Sequence, residues 1–254
     1  LDMSELYDPA PEGTPGKSYV KRASMVDGID MFDAGFFGIR PSEASMMDPE
    51  QRMLLEGVWE ALEQSGIPAT ALRDTQAGVF TSSSNGDYGN TIAAAAAAAD
   101  EDVSAAVMSS PYSLTGGAKS ALSGRISYDF SLAGPSVTID TACSSALVAM
   151  ALGCRALVAK ECDAAIICGV QAMLSSRMFV VLCQSRMLSP DGLCKTFDAA
   201  ADGYGRGEGF GVVIMMRQDN EDIYGPVRKM AIVRGWAVNH DGRSSGFTAP
   251  RGPA

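Results

Sequence analysis

Between Ser136 and Ala151 the hydrophobic period of the chain changes. Val137 and Ile139 alternate with Ser136 and Thr138 behind Gly134-Pro135, the two-residue period of a short buried strand. After Thr141, Ala142 and Cys143, the run Ser144-Ser145-Ala146-Leu147-Val148-Ala149-Met150 holds the small and apolar residues of a tightly packed helix, which reads on from Leu147 to Lys160. A cysteine therefore falls at a strand-to-helix turn.

Around this stretch the pattern predicts further elements. Asp48-Pro49-Glu50 has the order of a helix start: Asp as N-cap, Pro at the first position, a carboxylate near the positive dipole end. Met53, Leu54, Val58, Trp59 and Leu62 recur at helical spacing as core scaffold until Gly66 supplies the stop. Gly78-Val79-Phe80-Thr81 reads as a strand leading into a Ser82–Gly86 loop, and Ala93–Ala99 as a helix without large side chains. Tyr112 to Ser127 reads as one helix packing Ala118, Ala121 and Leu122, with Arg125 near its end bonding last-turn carbonyls or pairing with a carboxylate. Ala164–Cys168 is a continuous apolar run, a strand covered on both faces, after which Gly169 allows a close turn. Gly211–Met216 reads as another buried strand. Residues 1–30 read as loop, with turns at Pro9-Ala10-Pro11 and Gly13-Thr14-Pro15-Gly16, and Ser189-Pro190-Asp191-Gly192 as a further turn. Val233 to Asp241 reads as a last strand and turn. Strands alternating with helices imply an α/β fold, helices layered on sheets.

Composition narrows the function. With 254 residues, 46% of them hydrophobic and 20% charged, the chain suits a large globular unit with a sizeable core. A net charge of −10 opposes nucleic-acid binding, which needs a basic face. No apolar run of about 18 residues is present, so no membrane span is expected. The acidic, turn-rich N-terminus is unlike a signal peptide. Six cysteines lack CxxC pairs and histidine partners at zinc-finger spacing, so no metal site is expected. Their apolar settings fit reduced thiols in a cytoplasmic compartment.

Cys143 is the candidate for chemistry. The first unpaired N–H groups of a helix and its dipole stabilise negative charge on sulfur, and the same donors stabilise an oxyanion on an attacked carbonyl. A buried structural cysteine fits the same residues. Gly203, Gly205, Gly207 and Gly209 suggest a phosphate loop, but the spacing is not GxGxxG before a helix, and Asp202 and Glu208 would repel phosphate.

Wider context favours the nucleophile. DTACSS (140–145) resembles the nucleophile motif of the β-ketoacyl synthases, the condensing enzymes of polyketide and fatty-acid synthesis. DPEQRMLLEGVWEALEQSGI (48–67), GRISYDFSLAGPSVTIDTACSSAL (124–147), ECDAAIICGV (161–170), MLSPDGLCKTFDAAADGYGRGEG (187–209) and AVNHDGRSSGFTAP (237–250) resemble further blocks in the family's order. The similarity is greatest to the ketosynthase domains of polyketide synthases.

The resemblance implies a thiolase-like layered αβαβα fold, mostly its N-terminal half and truncated at both ends. Residues 1–232 would be that half without its first strand, and 233–254 the start of the second. It implies that Cys143 accepts an acyl chain from a carrier-protein thioester for decarboxylative condensation with a malonyl-type extender. Thr141, Ala142, Leu182, Phe197 and Glu208 would support the site, Glu208 as a brace rather than a proton carrier. Leu182 stands where relatives often place an aromatic, and Ala151 where they often carry a histidine outside the catalytic pair. The two catalytic histidines belong to motifs not found here. His240 sits in AVNHDG, usually a glutamine position, and reads as a turn residue. No cofactor is bound directly; the phosphopantetheine arm of an acidic acyl-carrier protein delivers substrate, with Lys17, Lys21, Arg22 and Arg40 as docking candidates. A homodimer through the strand at Val137–Ile139 is also implied. A cysteine thioesterase would usually show G-x-C-x-G, whereas Thr141 and Ser145 flank this cysteine. A chain-length-factor-like partner subunit would lack the nucleophile.

Overall fold

The structure is a computed structural model that describes residues 3–10, 14–84, 86–220, 224 and 227–249. Pro11, Gly13 and Asn85, parts of the expected N-terminal turns and of the Ser82–Gly86 loop, lie outside the described residues, as does Pro250 of the last block. In chain order the elements are β1 (Ala23–Ser24), α1 (Pro41–Ala44), α2 (Pro49–Ser65), β2 (Gly78–Ser82), α3 (Asp87–Ala98), α4 (Glu101–Ser109), α5 (Tyr112–Gly117) and α6 (Ser120–Asp129). Then follow β3 (Ser136–Ile139), α7 (Ser145–Val158), β4 (Ala164–Gln171), α8 (Arg177–Gln184), β5 (Arg206–Gly207) and β6 (Gly209–Met216).

A four-stranded sheet in the order β3-β2-β4-β6 forms the centre. β3, β2 and β4 are parallel, and β6 runs antiparallel to β4. The two-residue period of the strands sends alternate side chains into two cores. Val79, Ile166 and Cys168 face α2 and α6, where Leu54, Leu55, Val58, Leu122 and Ile126 are buried. Phe80, Ala165, Ile167 and Met215 face the other way, onto Ala149, Cys154 and Leu157 of α7. Helix, sheet and helix thus form three successive layers. Beside them, β1 pairs in parallel with β5, so the N-terminal segment is not all loop.

α2 begins and ends as its sequence signals require. The Asp48 carboxylate accepts the Glu50 N–H at 2.9 Å, and Gly66 takes the left-handed conformation at φ +78°. Other expectations need correction. The helix read over 112–127 is broken into α5 and α6 by Ala118-Lys119. The Gly116 carbonyl turns to accept the Asp48 N–H and Gln51 Nε2–H, both at 2.9 Å. β4 does not turn at Gly169 but continues to Gln171; the missing side chain there admits Ala146 and Ser82 instead. β6 is an edge strand rather than a buried one, with Val213 46% exposed. Val137 on β3 is likewise half-exposed at the opposite edge. No strand forms over Val233–Asp241. No neighbouring strand bonds this backbone among the described residues, and Val233, Trp236 and Val238 lie open to solvent.

Candidate active site

Cys143 stands at the carboxyl edge of the sheet, in a 3-10 turn over Ala142–Ser144 inserted between β3 and α7. That turn is held from several sides. Asp140 Oδ1 accepts the Ala142 N–H at 2.9 Å. Ser145 Oγ accepts the Thr141 N–H at 2.8 Å and donates to the Ala142 carbonyl at 2.6 Å. Ser144 Oγ lies 2.9 Å from both Thr141 Oγ1 and the Thr141 carbonyl. Within this frame Ala142 is left-handed at φ +54°, a conformation that side-chain-bearing residues seldom adopt. The strained turn presents Cys143 to solvent, whereas Cys154, Cys162, Cys168 and Cys183 are buried. Burial pushes the Cys154, Cys162 and Cys168 thiols up, as it does for inert core thiols. Cys194 is also exposed, but its Sγ accepts the Gly205 N–H at 3.3 Å.

Next to the turn lies a cavity of about 590 Å³, lined among others by Ser83, Lys119, Ser123, Thr138, Ile139 and Asp140. Lys119 is tied to Glu50 at 2.8 Å. Asp140 and Ser145, which hold the turn, and the ion pair of Lys119 with Glu50 at the cavity were not singled out from the sequence as candidate site residues. Asp140 two residues before a turn carried a usable signal, because Asp side chains accept N–H groups two positions on. The pairing of Glu50 with Lys119 spans 69 positions and had no local signal.

Glu208 bonds two separate backbone segments. Its Oε1 accepts the Met173 N–H at 2.8 Å, and its Oε2 the Val26 N–H at 3.0 Å. Leu182 packs with Tyr19, Val20, Met173, Phe179, Cys183 and Leu188 in a separate core cluster, which meets Glu208 at Met173. Phe197 stands at φ +62° with its ring wholly in solvent, so it packs against no pocket among the described residues. His240 is occupied by its own turn, with Nδ1 accepting the Gly242 N–H at 2.9 Å. Arg125 takes the carboxylate option, 2.6 Å from Glu43. Among the described residues no three His, Cys, Asp or Glu side chains gather as a metal site, and no helix is long and apolar enough to cross a membrane.

Residues 1–221 match the family model "Beta-ketoacyl synthase, N-terminal domain". The chain belongs to the β-ketoacyl synthases. It is 46% identical over 254 residues to the spectinabilin polyketide synthase system protein NorC of Streptomyces orinoci. It is 46% identical over 253 residues to the pikromycin polyketide synthase component PikAII of Streptomyces venezuelae. All of this chain is covered in both, but it spans only 11% and 6% of their lengths. The ketosynthase from module 6 of the bacillaene synthase of Bacillus subtilis superposes with a TM-score of 0.84 at 35% identity, covering 98% of this chain and 39% of that one. An oxazolomycin ketosynthase domain of Streptomyces albus gives 0.86 at 34% identity, covering 98% and 42%. This ketosynthase chain therefore has the thiolase-like fold, of which the helix–sheet–helix layers above form part.

Proposed function

We propose that the chain carries the acyl-accepting site of a β-ketoacyl-acyl-carrier-protein synthase of polyketide assembly. Exposed Cys143 on its strained turn is the observation that supports this most. The Cys143 thiolate attacks the carbonyl carbon of an acyl thioester presented on a phosphopantetheine arm. The oxyanion is received by N–H groups at the start of α7, and its collapse forms the Cys143 thioester and expels the carrier thiolate, which takes up a proton. In the second half-reaction a malonyl-type extender loses carbon dioxide. The enolate carbon attacks the Cys143 thioester, and the cysteine leaves as thiolate to release a 3-oxoacyl carrier. That half needs acid–base partners for the extender, and this sequence has one histidine. The chain by itself is expected to accept acyl groups without condensing them.

An acidic carrier protein would dock on a local basic surface. Lys21 and Arg22 border a hollow of about 420 Å³ beside Phe179 and Gly192, which suits that role. The half-exposed free edge of β3 at Val137 suits pairing with a second copy, and residues 233–254 suit the opening of a second half. Six free thiols suit a reducing, cytoplasmic setting.

Intact-mass labelling with a short acyl thioester and with cerulenin, on wild type and Cys143→Ala, tests the reading. One adduct, lost in the variant, is expected. A folded wild type that takes no adduct, or an adduct retained by Cys143→Ala, would overturn it.

A further inference from the structure

Glu50 is a carboxylate in the core, only 2% exposed. Its Oε2 accepts from Lys119 Nζ at 2.8 Å and from Ser83 Oγ at 2.6 Å, and its Oε1 from the Ala172 N–H at 3.0 Å. Lys119 Nζ also donates to Ser83 Oγ at 2.6 Å. One side chain on α2 thereby joins the segment leaving β2, the start of α6 and the segment leaving β4. The next amide, Met173, is held by Glu208, so two consecutive N–H groups are fixed by carboxylates from distant parts of the sequence.

These segments frame the nucleophile. The carboxyl ends of β2 and β4 are packed on the first turn of α7: a Cβ at Gly169 would lie 3.3 Å from Ala146 and 3.4 Å from Ser82 Oγ. On the other side Lys119 shares a cavity with Asp140, which holds the turn before Cys143. Stability alone accounts poorly for this arrangement. Glu50 is buried while the Lys119 side chain is 31% exposed; burying such a charge is often no better than packing apolar side chains, whereas losing its partner is costly. What the Glu50 carboxylate does is tie three separate backbone segments to one side chain.

Building on the acyl-transfer reading above, we propose that Glu50 is a positioning residue for Cys143. Through Ser83, Lys119 and the Ala172 amide, it fixes the ends of β2 and β4 against α7. It thus sets the orientation of the N–H groups that receive the thioester oxygen.

The test compares wild type, Glu50→Gln and Lys119→Met by two rates at Cys143, both read by mass on the digested peptide that carries Cys143, because Cys194 is exposed as well. One is acylation by a short acyl thioester, which needs an oriented carbonyl. The other is alkylation by iodoacetamide, which needs only an accessible thiol. Glu50→Gln is expected to slow acylation by about ten- to a hundred-fold, the scale of a small misplacement of reacting groups, while alkylation changes by less than about two-fold. Lys119→Met, which removes the Lys119 bonds to Glu50 and Ser83 but leaves Glu50 bonded to Ser83 and the Ala172 amide, slows acylation by a smaller factor. A purely structural role would lower the melting temperature and leave the ratio of the two rates unchanged, and that result overturns the proposal. Should Glu50→Gln fail to fold, an unchanged ratio in Lys119→Met overturns it. A wild type that is alkylated but never acylated overturns the acyl-transfer reading and this proposal together, whereas normal wild-type acylation with unchanged ratios removes this proposal alone.

Discussion

The Asp140 carboxylate accepts the Ala142 N–H at 2.9 Å and so holds an alanine in the left-handed region at φ +54°, one residue before the candidate nucleophile. That conformation costs a side-chain-bearing residue about 1–2 kcal/mol. It persists because Asp140, Ser144 and Ser145 over-determine the turn. Ala142→Gly relieves the strain but adds about 0.5–1 kcal/mol of backbone freedom to be lost on folding, so stability should change little. Ala142→Val should destabilise by about 1–3 kcal/mol, since a β-branched residue tolerates this region worst. Urea titrations check both. A glycine variant of normal stability is expected to acylate Cys143 more slowly, because the turn no longer has a single conformation. Equal acylation rates would show that the strain has no part in presenting the thiol.

Glu208 satisfies two backbone donors at once, and both belong to segments remote from it in sequence. Glu208→Gln keeps the size but replaces one acceptor oxygen with a donor, leaving either Val26 or Met173 unpaired. A loss of about 1 kcal/mol is expected, the scale of one ordinary hydrogen bond in a part-buried setting. Acylation of the folded variant should keep the wild-type pH profile, the outcome expected of a residue that holds backbone and transfers no proton. A shifted profile at unchanged stability would instead make it a proton carrier.

Local signals made most of the fold legible. Asp48, Pro49 and Gly66 marked both ends of α2, and the apolar run of β4 showed a strand covered on two faces. The misreadings share a physical cause: long-range partners. Tyr112–Ser127 has the pattern of one helix, yet Gly116 must pack on residues 46–47 and Lys119 must reach Glu50, so the helix breaks. Gly211–Met216 is as apolar as a central strand, but its place at the sheet edge follows from topology. At the site, Cys143 stood out because family motifs surround it. The left-handed Ala142 did not, because that conformation normally selects glycine or asparagine, and here hydrogen bonds made by the side chains of Asp140, Ser144 and Ser145 hold it.

Two helical glycines should respond in opposite directions to the same substitution. A Cβ on Gly116 would overlap the Met46 carbonyl oxygen, a backbone atom with no room to move aside. Gly116→Ala is therefore expected to destabilise by about 1–3 kcal/mol or more, by forcing α5 off residues 46–47. Gly124 in α6 has nothing within 4 Å of the same position, and Gly124→Ala should stabilise by about 0.5–1 kcal/mol. Denaturation of both variants decides the matter; a neutral Gly116→Ala would refute the close approach of α5 to residues 46–47.

Acid should stabilise this chain over a defined window. Burial, and then the neighbouring Glu50 charge, push the Asp48 carboxyl up from 3.8 to about 6; burial does the same to Asp129. Between about pH 4 and 6 the folded chain keeps protons that the unfolded chain has released, so stability falls as pH rises through that interval and levels off above it. Hydrogen bonds from Lys195 and Ser189 move Asp191 the other way, to about 2. Its contribution is full above about pH 4 and is lost only as pH falls toward 2, outside the window. Melting at constant ionic strength should therefore give a higher transition temperature at pH 5 than at pH 7. Asp48→Asn retains an N-cap for α2 but has no proton to exchange, so its melting temperature should vary less over the same interval. Because the substitution also removes a buried charge beside Glu50, the variant should gain stability at pH 7 rather than at pH 5. Parallel curves for wild type and Asp48→Asn would mean that Asp48 titrates in the folded chain as it does in water, and that the Asp48–Glu50 repulsion is already relieved by Lys119 and Arg52.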